Sequence, residues 1–170
     1  MKKLTTWELV LFALLGTVLL AGDLLMEWLP NVHLVGMLLT VYTAVYRWKA
    51  LIPLYIYVLL LGLFNGFATW WIPYLYVWTV LWGLVMLLPR TVTGKTVFIY
   101  GTVCALHGLL FGTLYAPSQV LLFGLPWSAL PAWIAAGLPF DIIHGIGNAV
   151  LSVLIYPLTK LLNKAPNMYQ

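Results

Sequence analysis

The basic residues of this chain fall into four short clusters, and the stretches between the clusters contain none. The clusters are Lys2 and Lys3, Arg47 and Lys49, Arg90 and Lys95, and Lys160 and Lys164. They divide the sequence into three apolar blocks, each long enough to cross a bilayer twice. Basic residues that flank membrane spans concentrate on the cytoplasmic side, so each block is expected to form two helices joined outside the cell. The pattern predicts six transmembrane helices with both termini in the cytoplasm.

Composition indicates a membrane protein independently of where the charges lie. Hydrophobic residues make up 64% of the chain and charged residues 7%, against roughly half and a quarter in soluble domains. The net charge of +4 does not indicate nucleic-acid binding, because the basic residues flank spans and form no surface patch. We expect one all-α transmembrane domain over residues 1–170, a multi-pass protein of the lipid bilayer with no nucleic-acid partner.

Turn residues and the basic clusters set the expected helix bounds. The six expected helices cover residues 7–29, 33–46, 50–68, 74–88, 96–115 and 140–162. The long segment between the last two helices, residues 116–139, contains Pro117, Pro126, Pro131 and Pro139. It is too interrupted for a straight span but too apolar for a solvated loop, so it predicts a partly folded lid or re-entrant segment on the outer side.

Three of the four carboxylates fall inside apolar stretches, namely Asp23, Glu27 and Asp141. Ionisable side chains at membrane depth are costly and usually face the bundle interior or a hydrated cavity. Asp23 and Glu27 are four residues apart and therefore share one face near the outer end of helix 1. The alternative is that both carboxylates face water at the membrane interface.

A polar stripe is predicted along the last helix. Its members are Asp141, His144, Asn148 and Ser152, at spacings of three, four and four residues. At about 100° per residue, these spacings place all four on one face of the helix. A polar stripe in a membrane helix forms either the wall of a ligand pocket or a seam between helices. The sequence leaves both interpretations open.

Aromatic residues form a second stripe on helix 4, at Trp71, Tyr74, Trp78 and Trp82. Trp82 is expected about 16 Å deeper than Trp71, which is beyond the reach of an interfacial aromatic belt. Aromatic walls with a few polar groups suit a flat organic ligand, and plain packing between helices is the alternative. The predicted substrate-binding residues are Glu27, His33, Trp78, Trp82, Asp141, His144 and Asn148.

Small residues recur every four positions on helix 1, at Ala13, Thr17 and Ala21, and again at Gly108 and Gly112 on helix 5. Such patterns let two helices approach closely. Inside a lone bundle they indicate internal packing, whereas on an outer face they indicate a docking site for another membrane protein.

Sequence motifs of common enzymes are missing from the chain. It contains no Walker A loop, no Gly-x-Ser-x-Gly elbow and no His-Glu-x-x-His pair. We therefore predict no catalytic residues, no metal site and no cofactor, and we do not expect an enzyme.

The last predicted helix includes the stretch GLPFDIIHGIGN over residues 137–148, followed by Tyr156-Pro157-Leu158. This stretch resembles the last helix of the substrate-binding subunits, called S components, of energy-coupling factor (ECF) transporters. The small-residue pattern on helix 1 also resembles a motif of that family, although Thr17 replaces the usual alanine. The six-helix plan and the length of the chain fit the same family.

The resemblance implies a protein of the bacterial cell membrane that captures a vitamin or related heterocyclic micronutrient from outside. S components act with a transmembrane coupling subunit and two cytosolic ATPase subunits, so Ala13, Thr17 and Ala21 would form the docking face. The predicted outer half contains carboxylates and no Lys or Arg, which favours a neutral or cationic heterocycle over an anion.

Two other functions remain open from the sequence. One is a stand-alone proton-coupled or facilitative small-solute carrier, with Asp141 and His144 as the proton relay. The other is a non-catalytic membrane assembly factor.

Overall fold

A computed structural model describes residues 4–164, and this part of the chain contains helices and no strands. The cluster at Lys2 and Lys3 lies outside the described residues. The helices are α1 (Thr6–Leu25), α2 (Val35–Tyr46), α3 (Leu51–Asn65), α4 (Tyr74–Met86), α5 (Val97–Leu109), α6 (Phe111–Phe123), α7 (Leu130–Leu151) and α8 (Ile155–Lys164).

Four helical segments of the described range are long and apolar enough to cross a membrane, counting helices joined through a 3-10 turn or a single turn residue as one segment. These segments are Thr6–Leu25, Val35–Asn65, Val97–Phe123 and Trp127–Lys164. The prediction of an all-α chain with membrane-type helices is confirmed at this level.

α1 and α3 run side by side in the same direction. At the beginning of α1, Thr5 and Glu8 form a capping box, and Glu8 also pairs with Lys49, just before α3. Near the other end, the Tyr57 hydroxyl donates to the Asp23 carboxylate at 3.0 Å. The earlier residue of α1 contacts the earlier residue near α3, and the later residue contacts the later one, so the two helices are parallel. α2 must therefore run in the opposite direction to bring the chain back between them.

α2 occupies the centre of the bundle. All ten residues from Val35 to Ala44 are buried, as expected for a helix that is apolar on every side. The helix packs against α4 and α8. It ends at Arg47, which has a φ of 54° and donates from its guanidinium to the Met86 carbonyl at the end of α4. α2 and α4 therefore end at the same side of the bundle.

The expectation of a partly folded outer segment over residues 116–139 is wrong. α6 continues to Phe123 and ends at Gly124, whose left-handed φ of 69° suits a glycine. α7 then begins at Leu130, ten residues earlier than expected. Only a short connection and a 3-10 turn at Trp127–Ala129 separate the two helices.

Proline positions explain this error. Pro131 lies in the first turn of α7, where the missing N–H needs no partner. Pro117 and Pro139 lie inside α6 and α7, and prolines are tolerated inside membrane helices because neighbouring groups satisfy the freed carbonyls. Of the four prolines in the segment, only Pro126 lies outside an α-helix.

Other helix bounds also differ from the expected ones, most clearly at α1 and at the last helix. α1 ends at Leu25, where the Met26 amide turns back to the Asp23 carbonyl at 3.1 Å. The last expected helix is divided, because a 3-10 turn at Ser152–Leu154 separates α7 from α8.

Candidate functional site

All three histidines of the chain come together in space. His33 lies in the connection before α2, His107 on α5 and His144 on α7. The His33 and His144 ring centroids are 4.5 Å apart. Trp78 of α4 joins them, with its ring centroid 5.5 Å from His33 and 5.6 Å from His107.

Phe111 completes this group, with its ring 5.0 Å from His144 and 5.3 Å from Trp78. We call the five residues the histidine–aromatic cluster: His33, Trp78, His107, Phe111 and His144. Trp78 and His107 are each 1% exposed and His144 is 3% exposed. Four different segments of the chain thus enclose this group of rings. None of its side chains is ionised as long as the histidines are neutral.

The hydrogen bond of His107 fixes its tautomer. Its Nε2 lies 3.0 Å from the Val77 carbonyl oxygen, which only accepts. Nε2 must therefore carry the proton, and in the neutral ring Nδ1 is a bare acceptor. Nδ1 is buried and has no partner among the described residues.

Several other polar atoms of the cluster are also buried without a hydrogen-bond partner among residues 4–164. They are His33 Nδ1, Trp78 Nε1 and His144 Nε2. Buried polar groups are nearly always hydrogen-bonded, so these unpaired atoms call for partners such as ordered water, an ion or a ligand. The cluster offers such groups one fixed donor, one fixed acceptor and two imidazole nitrogens that adapt to either role.

His33 remains uncharged at neutral pH. Desolvation of its ring, together with the proximity of His107, lowers the pKa of His33 to about 4. A neutral His33 keeps one ring nitrogen as donor and the other as acceptor.

Three members of the predicted polar stripe lie in a seam between α7 and the α5–α6 segment. The Gly112 amide donates to both Asp141 carboxylate oxygens, at 2.9 and 3.1 Å. The Asn148 side-chain nitrogen donates to the Cys104 carbonyl at 3.1 Å. Ser152 lies against Gly101, where an added Cβ atom would come within 2.7 Å of its hydroxyl oxygen.

His144 is the stripe member with a different environment, because it contacts the rings of the cluster. The sequence left a seam and a pocket wall as alternatives for the stripe. The structure places seam contacts at Asp141, Asn148 and Ser152 and the ring contacts at His144. Asn148 Oδ1 is buried and unpaired as well, so this side chain still offers one free acceptor.

Glu27 lies in a separate small cavity of about 90 Å³, which it lines together with Asp23, Leu24 and Asn65. This cavity is connected to the cluster through one side chain. Tyr57 donates to Asp23 at 3.0 Å, and its ring centroid is 6.5 Å from that of Trp78. Asp23 and Glu27 therefore adjoin the cluster without contacting its histidines.

Trp82 lies away from the cluster. Its indole nitrogen donates to the Arg47 carbonyl at 3.2 Å, at the end of α2 opposite His33. Helical spacing placed Trp82 and Trp78 on one face. Trp78, however, contacts His33 just before α2, whereas Trp82 contacts Arg47 just after it.

Sequence analysis did not single out His107 or Phe111 as site residues. A signal was present, because the two are four residues apart and so share a face of the α5–α6 segment. A lone histidine in an apolar stretch nevertheless fits an interhelical hydrogen bond equally well, and His107 does make one, to Val77.

The small-residue stripe of α1 faces outwards. Ala13, Thr17 and Ala21 are all exposed, and the Thr17 hydroxyl is satisfied by the Ala13 carbonyl at 3.0 Å. Leu14 and Val18 flank the stripe and are 59% and 47% exposed. The result is an apolar, shallow strip on the outside of the bundle.

Within residues 4–164, no three His, Cys, Asp or Glu side chains are grouped to hold a metal ion. No family model, curated protein or solved structure matches the chain.

Proposed function

We propose that this chain is the S component of an ECF-type importer, a subunit that captures a small heterocyclic micronutrient outside the cell. One observation carries the proposal. The same chain has a buried cluster with unpaired polar atoms and, elsewhere, an exposed strip of small residues on α1. The first suits a ligand and the second suits close approach by another membrane helix.

The proposed topology has six membrane passes with both termini in the cytoplasm. α1 and α3 run in one direction, and α2 and α4 end at the same side of the bundle. α5 with α6 makes the fifth pass, and α7 with α8 makes the sixth. Arg47, Lys49, Arg90 and Lys95 then lie on the cytoplasmic side, in agreement with the placement of basic residues in membrane proteins.

This orientation puts the histidine–aromatic cluster in the outer half of the bundle. Trp78 lies one turn from the outer end of α4, roughly 6 Å below Tyr74. The cavity lined by Asp23 and Glu27 adjoins the cluster through Tyr57. The absence of Lys and Arg from these two places favours a neutral or cationic ligand.

Delivery of the ligand requires an energy source, and the sequence contains no Walker A loop. We propose that a transmembrane coupling subunit docks on Ala13, Thr17 and Ala21 and connects the chain to two cytosolic ATPases. The small side chains of α1 permit close approach of a partner helix in lipid, where dispersion and close backbone approach replace the hydrophobic effect.

Purification of the tagged chain from native membranes in mild detergent tests the proposal. We expect a transmembrane subunit and two ATPases to co-purify in fixed ratio. A stand-alone carrier makes the opposite prediction: the chain alone in proteoliposomes would take up solute, driven by a proton or solute gradient. Uptake by the isolated chain without ATPases would contradict the proposed function.

A further inference from the structure

His33 differs from the other members of the histidine–aromatic cluster because it lies outside the α-helices. It belongs to the connection between α1 and α2, in which Asn31 has a positive φ of 56°. Trp78, His107, Phe111 and His144 are held by α4, α5, α6 and α7. His33 is therefore the member whose ring can leave the cluster without moving a helix.

The His33 ring packs against two helical members whose rings also contact each other. Its centroid is 5.5 Å from Trp78 and 4.5 Å from His144, and both contacts are edge-on. Trp78 and His144 themselves are 6.5 Å apart. A neutral imidazole is a flat heterocycle with one donor and one acceptor, so the chain itself shows which chemistry this position accepts.

The polar atoms around that position set further requirements. Trp78 Nε1 is a donor and needs an acceptor, while His107 Nδ1 is an acceptor and needs a donor. No lysine, arginine or unshared carboxylate lies in the cluster to balance an ionised ligand. Asp141, on the same face of α7 as His144, already holds the Gly112 amide with both oxygens.

We propose that the ligand is an uncharged planar heterocycle bearing both a hydrogen-bond donor and an acceptor, and that it takes the place of the His33 ring against Trp78 and His144. This inference rests on the proposed function, since it names the ligand class of the same site. His33 acts as a removable plug that fills the cluster when no ligand is bound.

A matched set of probes tests the charge and the donor requirement. Nicotinamide is neutral with an amide donor and acceptor, N,N-dimethylnicotinamide lacks the donor, nicotinate is anionic and 1-methylnicotinamide is cationic. Binding to the full chain in nanodiscs is measured by saturation-transfer NMR, which detects weak ligands. We expect nicotinamide to bind at least tenfold more tightly than the other three. Equal or tighter binding of an ionised probe, or binding of none, would overturn the proposed ligand class.

Variants test the plug and the donor. His33→Ala removes the competing ring and should strengthen nicotinamide binding on the order of tenfold, because the open state is then fully populated. Trp28→Ala, in the same connection but exposed, should leave binding unchanged. Trp78→Phe keeps an aromatic ring without the indole donor and should weaken binding on the order of tenfold. Trp71→Phe is its control, because the Trp71 indole is already paired with the Val58 carbonyl.

Loss of binding in His33→Ala would show that His33 is a ligand contact and would overturn the plug. Co-purification with the coupling subunit and ATPases is measured on the same preparations. A chain that assembles but fails the probe test keeps the proposed function and loses the ligand class. A chain that binds nicotinamide but never assembles loses the proposed function instead.

Discussion

Two stripes of small residues with the same four-residue spacing have opposite environments in this molecule. Gly108 and Gly112 face α7 so closely that a Cβ atom at Gly108 would lie 3.0 Å from the backbone of Gly145. Ala13, Thr17 and Ala21 face away from the bundle. The first stripe closes a seam inside the chain, and the second is left open.

The difference between the stripes lies in their partners. The glycines of the α5–α6 segment meet polar side chains of α7, which use the close approach to reach backbone groups at Gly112 and Cys104. On α1, the inward small residue is Gly16, where a Cβ atom would lie 2.6 Å from Ile56. The α1–α3 contact is therefore complete without Thr17, and the spacing alone does not reveal whether a stripe has a partner.

The largest effect is expected from a bulky residue in the closed stripe. Gly108→Leu should lower the free energy of unfolding by about 3 kcal/mol or more, because α5 and α7 must separate or distort. Thermal unfolding in detergent measures the change. Thr17→Leu is the matched control, and its effect on the same quantity should stay within about 0.5 kcal/mol. Comparable destabilisation by both variants would remove the distinction between the stripes.

A smaller effect is expected from the polar side of the closed seam. Asn148→Ala removes the hydrogen bond to the Cys104 carbonyl and should cost about 1 kcal/mol of stability. Ser152→Ala is the control, because the Ser152 hydroxyl donates to the Ala149 carbonyl one turn earlier in the chain and not across the seam. A stability loss confined to Ser152→Ala would contradict the assigned seam contacts.

Sequence periodicity predicted the polar stripe of α7 and its shared face, because both follow from helix geometry alone. It did not predict that Asp141 and Asn148 would meet glycines while His144 met aromatic rings. That division depends on which residues of α5 and α6 lie opposite each stripe member. The identity of the facing residue is a tertiary property that one helix does not encode.

The histidine–aromatic cluster was only partly predictable for the same reason. His33, Trp78 and His144 were expected in the site, each for a local reason, but His107 was not. The four come from segments far apart in the sequence, and their meeting depends on how α2, α4, α5 and α7 pack. Helix content followed from hydropathy. The continuation of α6 through Pro117 and of α7 through Pro139 depends on neighbouring groups that the sequence does not identify.

A third test concerns the membrane topology and is expected to leave stability unchanged. It sharpens the comparison by showing how the helices that carry the two stripes cross the membrane. Asn31→Cys and Ser128→Cys lie in the proposed outer connections, and Gly94→Cys lies in a proposed cytoplasmic one; all three positions are exposed. Only the first two should react with an impermeant thiol reagent in intact cells. The native Cys104 is buried and gives a low background. Labelling at Gly94→Cys in intact cells would overturn the six-pass topology.

The most direct test of the account is to measure assembly and ligand binding together on Thr17→Leu. The account predicts that the variant no longer co-purifies with a coupling subunit and ATPases, because a bulky side chain prevents close helix approach. Nicotinamide binding to the isolated variant should equal that of the unchanged chain, since Thr17 lies outside the histidine–aromatic cluster. Intact assembly, or equal loss of assembly and binding, would contradict the separation of a docking face from a ligand site.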